Sequence, residues 1–219
     1  MSRPPAGVVF DCDGLLLDTE ECWTRGETEL FARYGREFTP DHKRLLLGQA
    51  GQNAGGILAR ELDQPARGAE LLEELVALAW AEIAAGVQAR PHAAELVEEL
   101  RGRLPLALAS NSPHGLVDVG LEAAGMTGWF DVVLGSDDVA NAKPAPDLYL
   151  TACERLGVRP EDAVALEDSP TGVASALAAG LHVIGVPSLP GMALEASQTA
   201  GSLGDASVRR ALGLPDNGS

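Results

Sequence analysis

Residues 8–18 have the sequence VVFDCDGLLLD, in which three apolar residues run directly into two aspartates and a glycine. The apolar run is short and partly β-branched, as in a buried strand, and Gly14 ends it. Buried carboxylates are costly unless they are paired or bound to a metal. Because open α/β sheets bind ligands at the carboxyl ends of their strands, Asp11 and Asp13 predict a cation site there. The alternative is that one aspartate caps a turn while the other faces water.

The composition excludes some classes of partner. The chain has 219 residues, 46% of them hydrophobic, which is enough for one domain or for a core with an insertion. Its formal net charge of −16 repels phosphate backbones, so we expect no nucleic-acid partner. An anionic substrate therefore needs cations placed locally in its binding site.

The cysteines and the hydropathy indicate the compartment. Cys12, Cys22 and Cys153 are widely spaced and form no ligand pair, which favours a reducing compartment over disulfide bonds. No apolar stretch reaches the length of a membrane span, and the N-terminus has no apolar signal region. We therefore expect a cytoplasmic protein that has no membrane partner. Nothing in these patterns fixes the oligomeric state, and a monomer is the expectation.

The periodicity of apolar residues changes along the chain. Residues 18–88 show helical spacing and no clear strand, whereas from Pro91 onward strands alternate with helices. Such alternation specifies a parallel sheet covered by helices on both faces. We predict an α/β fold with a Rossmann-like core, residues 1–17 and 89–219, and an inserted α-helical cap domain, residues 18–88.

The predicted elements are bounded by glycine, proline and capping residues. The predicted helices cover residues 20–34, 40–47, 57–62, 68–86, 92–101, 112–125, 146–156, 169–180 and 206–212. The predicted strands cover residues 8–10, 104–109, 130–134, 163–166 and 182–186, and residues 48–53 are predicted to form a loop.

Two further chain segments carry groups suited to an anion. Ser110 and Asn111 end the second strand just before a helix, where a hydroxyl, an amide and free backbone N–H groups form an anion site. The alternative is that Ser112 only caps that helix, which leaves Ser110 unexplained. Lys143 precedes Pro144, which disfavours helical geometry at the lysine and makes it a candidate fixed cation. Alone, it would be taken for a surface lysine.

Glu167 and Asp168 follow another predicted strand. Ser169 can cap the next helix, so these carboxylates are free for another task. The alternative is ordinary negative charge at a helix N-terminus. Together the strand ends offer a nucleophile or base, oxygen ligands for a hard cation, a hydroxyl and a lysine, which suits phosphoryl transfer.

The chain resembles the haloacid dehalogenase-like superfamily, in its phosphatase and phosphomutase branch. Four motifs match in order, and the helical insertion after the first strand matches the family's helical cap type. The motifs are Asp11-Cys12-Asp13-Gly14, Ser110-Asn111, Lys143-Pro144 and Glu167-Asp168.

The resemblance implies a role for each matching residue. Asp11 would be the nucleophile that forms an aspartyl-phosphate, and Asp13 would be the general acid and base. Ser110, Asn111 and Lys143 would hold the phosphate of a small phosphorylated metabolite.

The resemblance also implies a cofactor. Asp11, the backbone carbonyl of Asp13 and Asp168 would bind Mg²⁺, and Glu167 would act through a water molecule. This agrees with the physical expectation that several acids around one site repel each other unless a divalent cation is present.

The leading hypothesis is a Mg²⁺-dependent phosphatase, and the alternative is a sugar phosphomutase similar to β-phosphoglucomutase. The mutase subgroup has a histidine where this chain has Trp23 and an arginine where it has Gly51, and residues 68–86 contain no lysine or arginine. These differences favour hydrolysis, although Lys43, Arg44 or Arg60 could hold a second phosphate. The remaining alternatives are a haloacid dehalogenase and a non-catalytic binding protein. A dehalogenase typically lacks the second aspartate, so Asp13 argues against it. A binding protein would be expected to have lost at least one motif, and all four are present.

Other residues have simpler interpretations. Cys12 should face the core, because side chains alternate along a strand. We predict a surface position for His92, in preference to a role in a hinge or in substrate binding. We predict that residues 42–44 form a solvated face. Trp23 either lines the site or packs within the cap.

Overall fold

The fold is a parallel sheet with helices on both faces, as predicted. The computed structural model describes residues 4–47, 49, 51–189 and 191–215, with the side chains of residues 51 and 52 outside the description. Its strands are β1 Gly7–Phe10, β2 Leu106–Ala109, β3 Val132–Leu134, β4 Ala163–Glu167, β5 His182–Gly185 and β6 Gln198–Thr199. Its α-helices are α1 Glu20–Arg33, α2 Pro40–Leu46, α3 Gly51–Glu61, α4 Gly68–Ala85, α5 Ala93–Leu100, α6 His114–Ala123, α7 Asp147–Leu156, α8 Pro170–Ala178 and α9 Ala206–Ala211.

Strand β1 lies at the centre of the sheet and fixes where the motifs meet. The strand order is β3-β2-β1-β4-β5-β6, and all neighbours pair in parallel. Phe10 pairs with Leu108 on one side and with Leu166 on the other. Asp11 and Glu167 directly follow Phe10 and Leu166, and Ser110 lies two residues after Leu108, so these three residues emerge together at the carboxyl edge.

Both faces of the sheet are buried in apolar cores. Val8 and Phe10 point to one face and pack in a core with α5 and α6, whereas Val9 points to the other face and packs in a core with α7 and α8. Cys12 lies in the first of these cores, as predicted from strand alternation. A continuous apolar strand such as β1 is what a sheet covered on both faces requires.

Helices α1 to α4, here called the helical segment, have an apolar cluster of their own. Leu30, Phe31, Leu58, Leu71 and Leu75 are buried in it. The chain leaves the sheet at Leu17 and returns beside it, because Leu17 bridges Ala89 and the Asp18 N–H donates to the Gln88 carbonyl. The helical insertion is thus present after β1, and its status as a separate domain stays a prediction.

The prediction of a loop over residues 48–53 is wrong for residues 51–53, which form the first turn of α3. Gly48 and Ala50 lie outside the described residues. The weak helix propensity of this glycine-rich stretch is overridden by packing, because α3 and α4 approach each other backbone to backbone. A Cβ on Gly55 would lie 2.6 Å from the Gly68 carbonyl oxygen.

Two helix starts agree with the capping residues of the sequence. The Thr39 and Ser169 hydroxyls accept hydrogen bonds from backbone N–H groups at the start of α2 and α8.

Two further features concern strand β6 and His92. Strand β6 has only two residues and no apolar pattern, so no sequence signal predicts it. His92 is exposed, as expected, and has a left-handed backbone at φ 66°.

All three cysteines are buried free thiols. None of the helices in the described ranges combines the length and the hydropathy that a membrane span requires.

Candidate active site

A buried lysine joins two of the predicted motifs. Lys143 Nζ donates to Asp11 Oδ1 at 2.5 Å and to Glu167 Oε1 at 2.6 Å, and all three side chains are buried. Burial acts to lower the pKa of Lys143, but Asp11 and Glu167 outweigh it and raise that pKa well above the usual range. The lysine is therefore a fixed cation at the carboxyl edge, as predicted.

Asn111 holds the backbone of this lysine. Its Oδ1 accepts from the Lys143 N–H at 2.9 Å, and its Nδ2 donates to the Lys143 carbonyl at 3.2 Å. The Lys143–Pro144 peptide bond is cis. The amide predicted to bind phosphate thus positions the lysine in this structure, and its contact with phosphate stays a prediction.

Glu167 is surrounded by donors, one of which the sequence does not reveal. Tyr149 on α7 donates its hydroxyl to Glu167 Oε1 at 2.5 Å, and its ring lies 5.0 Å from Lys143 Nζ. The Asp168 N–H donates to Glu167 Oε2 at 3.2 Å. Tyr149 lies 18 residues before Glu167, on a helix. Its position in the sequence pattern is that of an ordinary core residue, so the sequence does not predict its bond to Glu167.

Asp13 is held by three hydroxyl groups. Thr19 donates to its Oδ1 at 2.8 Å, and Ser110 and Ser112 donate to its Oδ2 at 2.7 and 2.9 Å. Ser112 therefore does not cap α6, where Pro113 takes the cap position. Ser110, predicted to bind phosphate, is buried behind Asp13, and that role stays a prediction.

Three carboxylates crowd one point of the site. Oxygen atoms of Asp11, Glu167 and Asp168 lie within 4.8 Å of one another, and all three residues are buried. Burial and the charge of Glu167 raise the pKa of Asp168 to about 8. Burial likewise raises the pKa of Asp11 well above its usual range, although Lys143 opposes this.

This group of acids suits a hard divalent cation. One lysine cannot neutralise three carboxylates, and oxygen ligands are those that Mg²⁺ and Ca²⁺ prefer. The predicted ligands Asp11 and Asp168 belong to the group, whereas the Asp13 side chain is occupied by hydroxyls. The site is thus compatible with a metal bound by two carboxylates, with Glu167 beside them.

Two glycines allow the acids to approach. A Cβ on Gly14, whose φ is +83°, would overlap Asp168 Oδ2, and a Cβ on Gly172 would overlap the Glu167 carboxylate. Gly14 is therefore required both by its backbone conformation and by its neighbour.

A cavity of about 200 Å³ opens onto these groups between the sheet edge and the helical segment. From the sheet side it is lined by Asp11, Asp13, Asn111, Ser112, Lys143 and Asp168, and from the helical segment by Glu20, Trp23, Glu27, Lys43 and several apolar residues. Trp23 lines the cavity and also packs against the apolar clusters, so both positions predicted for it are present.

The prediction that residues 42–44 form a solvated face is wrong for His42, whose ring lies 4.7 Å from the Phe31 ring, and for Lys43. Its Nζ lies 3.0 Å from carboxylate oxygens of both Glu20 and Glu27, and its side chain is 19% exposed. Burial raises the pKa of Glu27 to about 7, and Lys43 opposes this rise. Sequence spacing does not reveal this cluster, because α1 and α2 bring its members together only in three dimensions.

Replacing Tyr149 by phenylalanine should destabilise the fold. Tyr149→Phe keeps the ring beside Lys143 and removes the hydroxyl bond to a buried charge, which costs roughly 1.5–3 kcal/mol of unfolding free energy. Tyr34→Phe is the matched control, because the Tyr34 hydroxyl bonds Glu74 and Arg67 in a partly exposed setting. Equal losses for the two variants in urea denaturation would contradict the buried bond to Glu167.

Ionisation of Glu27 should lower the unfolding free energy as the pH rises. Below pH ~4.5 both folded and unfolded chains are protonated at Glu27, and above it the unfolded chain ionises first, because its pKa is the lower one. The unfolding free energy therefore falls up to a pH of about 7, by about 3 kcal/mol at most. Glu27→Gln should remove this fall, whereas Glu29→Gln, an exposed residue of the same helix, should keep it. Identical pH profiles of denaturation for wild type and Glu27→Gln would contradict the assignment.

Comparisons with known proteins show the family to which the chain belongs. The family model of the haloacid dehalogenase-like hydrolases matches residues 5–180. The chain is 30% identical over 185 residues to the fructose-1-phosphate phosphatase YqaB of Escherichia coli, covering 83% of this chain and 96% of that protein. It is 32% identical over 187 residues to the bifunctional riboflavin kinase/FMN phosphatase of Arabidopsis thaliana, and there it spans only 48% of the relative's length against 84% of its own.

A solved structure of another protein is similar to this chain in both fold and sequence. A mutant of CbbY from Rhodobacter sphaeroides in complex with xylulose-(1,5)bisphosphate has a TM-score of 0.79 and 31% identity, with 90% of this chain and 94% of that chain covered. On the match to the family model and on these relatives, the chain belongs to the haloacid dehalogenase-like hydrolase family.

Proposed function

We propose that this protein is a Mg²⁺-dependent phosphatase that hydrolyses a small phosphorylated metabolite of the sugar-phosphate type through an aspartyl-phosphate on Asp11. One observation carries the proposal. Lys143 bridges Asp11 and Glu167 beside Asp168, and Asp11, Lys143 and Asp168 all line a cavity large enough for a ligand. The names of the relatives, a fructose-1-phosphate phosphatase and an FMN phosphatase, support hydrolysis of a phosphoric monoester.

The first step transfers the phosphoryl group to the protein. A carboxylate oxygen of Asp11 forms a bond to phosphorus while the bond from phosphorus to the leaving oxygen breaks. Asp13, two residues after Asp11 and protonated at this stage, delivers its proton to that oxygen and becomes a carboxylate. Lys143, 2.5 Å from Asp11 Oδ1, supplies positive charge where the phosphoryl oxygens must come.

The second step returns the protein to its starting state. Asp13 takes a proton from water, whose oxygen attacks phosphorus, and the bond from phosphorus to Asp11 breaks to release inorganic phosphate. Thr19, Ser110 and Ser112 hold the Asp13 carboxylate in place throughout. Ser112, which lines the cavity, joins Ser110 and Asn111 as a candidate phosphate contact.

The proposed metal site uses the negative charge of the three acids that one lysine leaves uncompensated. Asp11, Asp168 and the backbone carbonyl of Asp13 would hold Mg²⁺, with Glu167 contributing through water. When bound there, the cation supplies charge that offsets both the carboxylates and the phosphate. Two observations support a cation at this point. The three acids lie close together, and the pKa values of Asp11 and Asp168 are raised.

The helical segment is proposed to act as a cap domain over the core. It begins and returns at adjacent residues beside Leu17, and its side chains form one wall of the cavity. Two neighbouring connections are suited to a hinge, and closure would exclude water from the site.

The alternative, a phosphomutase, needs a cap group that binds a second phosphate. Among the described residues that line the cavity, the only cations are Lys43 and Lys143, and each is already paired with two carboxylates. This pairing favours hydrolysis.

Removing the nucleophile should abolish turnover. Asp11→Asn keeps the shape and removes the charged oxygen, so phosphate release from fructose 1-phosphate with Mg²⁺ should fall by roughly 10³-fold or more. Asp118→Asn, an exposed aspartate on α6, is the control and should keep wild-type rates. Residual Asp11→Asn activity above about a tenth of wild type would reject the mechanism.

A further inference from the structure

Glu20, Lys43 and Glu27, here called the acid–lysine cluster, form a charged patch inside the cavity. Lys43 Nζ lies 3.0 Å from Glu20 Oε2 and 3.0 Å from Glu27 Oε2. The side chains of Glu20, Lys43 and Glu27 are 20%, 19% and 5% exposed. All three line the cavity that also contains Asp11 and Asp168.

A purely structural role explains this arrangement poorly. Taking charges out of water is expensive, and a buried ion pair is often no more stable than apolar residues of similar volume. The positions lie on α1 and α2, which also contribute Phe31 and Leu46 to one buried apolar cluster. Charged groups kept beside a cavity, where apolar ones would stabilise the fold as well, indicate a ligand.

The acid–lysine cluster and the proposed catalytic edge face the same cavity, because Glu20, Glu27 and Lys43 line it together with Asp11, Lys143 and Asp168. A ligand whose phosphate lies at Asp11 and Lys143 would therefore place the remainder of the molecule beside the cluster.

The charges on this wall exclude a second anion. The cluster has two carboxylates for one ammonium group, and Lys43 has both as partners. The other residues of the helical segment that line the cavity are Trp23, Leu46, Leu47, Gln49, Ala54, Leu72, Leu75 and Val76, none of which is charged. A second phosphate or a carboxylate on the ligand would face Glu20 and Glu27 with no cation to spare among the described lining residues.

We propose that the acid–lysine cluster recognises the leaving group, by accepting hydroxyl groups of an uncharged polyol or sugar and rejecting a leaving group that has a second phosphate. The inference rests on the proposed function and deepens it. The Glu20 and Glu27 carboxylates accept hydrogen bonds from ligand hydroxyls, and Lys43 donates to ligand oxygens. Trp23 and the apolar residues contact the carbon skeleton. The substrate class is therefore the neutral polyol monophosphates.

The test compares two substrates that differ by one phosphate. Wild type should hydrolyse fructose 1-phosphate with a kcat/KM about 100-fold or more above that for fructose 1,6-bisphosphate, because juxtaposed like charges disfavour the second substrate. At a pH of about 8, above the pKa of about 7 of Glu27, Glu27→Gln and Glu20→Gln should each reduce this ratio about 10-fold, because each removes one negative charge and frees Lys43. Glu29→Gln, exposed on the same helix, should leave the ratio at the wild-type value.

The outcomes separate the inference from the proposed function. Failure of wild type to hydrolyse p-nitrophenyl phosphate and both sugar phosphates with Mg²⁺ would reject the proposed function, and the inference with it. Hydrolysis by wild type with the same ratio in Glu20→Gln, Glu27→Gln and Glu29→Gln would overturn the inference alone. A cluster that only stabilises the fold would lower both rates together and leave the ratio constant. If Glu27→Gln fails to fold, the more exposed Glu20→Gln decides.

Discussion

The interaction on which the rest of the site depends is the pair of short bonds from Lys143 Nζ to Asp11 and Glu167. It connects the ends of β1 and β4 with the loop before α7, so three separate parts of the chain meet at one buried charge. Asn111 fixes the backbone of that lysine, and Tyr149 fixes the glutamate. Because buried charges are costly without partners, removing Lys143, Asp11 or Glu167 would leave a remaining buried charge short of a partner.

The sequence predicts the fold and the carboxyl edge because both follow from local patterns. The apolar run before Asp11, the alternation of helix and strand after Pro91 and the cap at Ser169 are each visible within a few residues. The sequence does not predict what depends on distant contacts. Tyr149 resembles any core aromatic residue, and Lys43 resembles a surface lysine until α1 places Glu20 and Glu27 around it.

The cavity has two walls with different chemistry. The sheet wall concentrates fixed charge, from Lys143 and the acids around it, at the place where phosphate is proposed to react. The wall from the helical segment is largely apolar and holds one partly buried acid–lysine cluster. This division matches the proposed roles, with bond breaking at the strand ends and selection of the leaving group by the insertion. It also explains why the motifs at the strand ends identify the family while leaving the substrate unassigned.

Asp11, Glu167 and Asp168 hold more negative charge than Lys143 can neutralise, and we propose that the site therefore binds one divalent cation. Isothermal titration calorimetry of Mg²⁺ into the protein measures this binding. We expect a single saturable site in wild type, about 10-fold or more weaker in Asp168→Asn, and unchanged in Asp162→Asn, an aspartate whose side chain is 42% exposed. Absence of saturable binding in wild type, or equal affinity in wild type and Asp168→Asn, would contradict the proposed cation site.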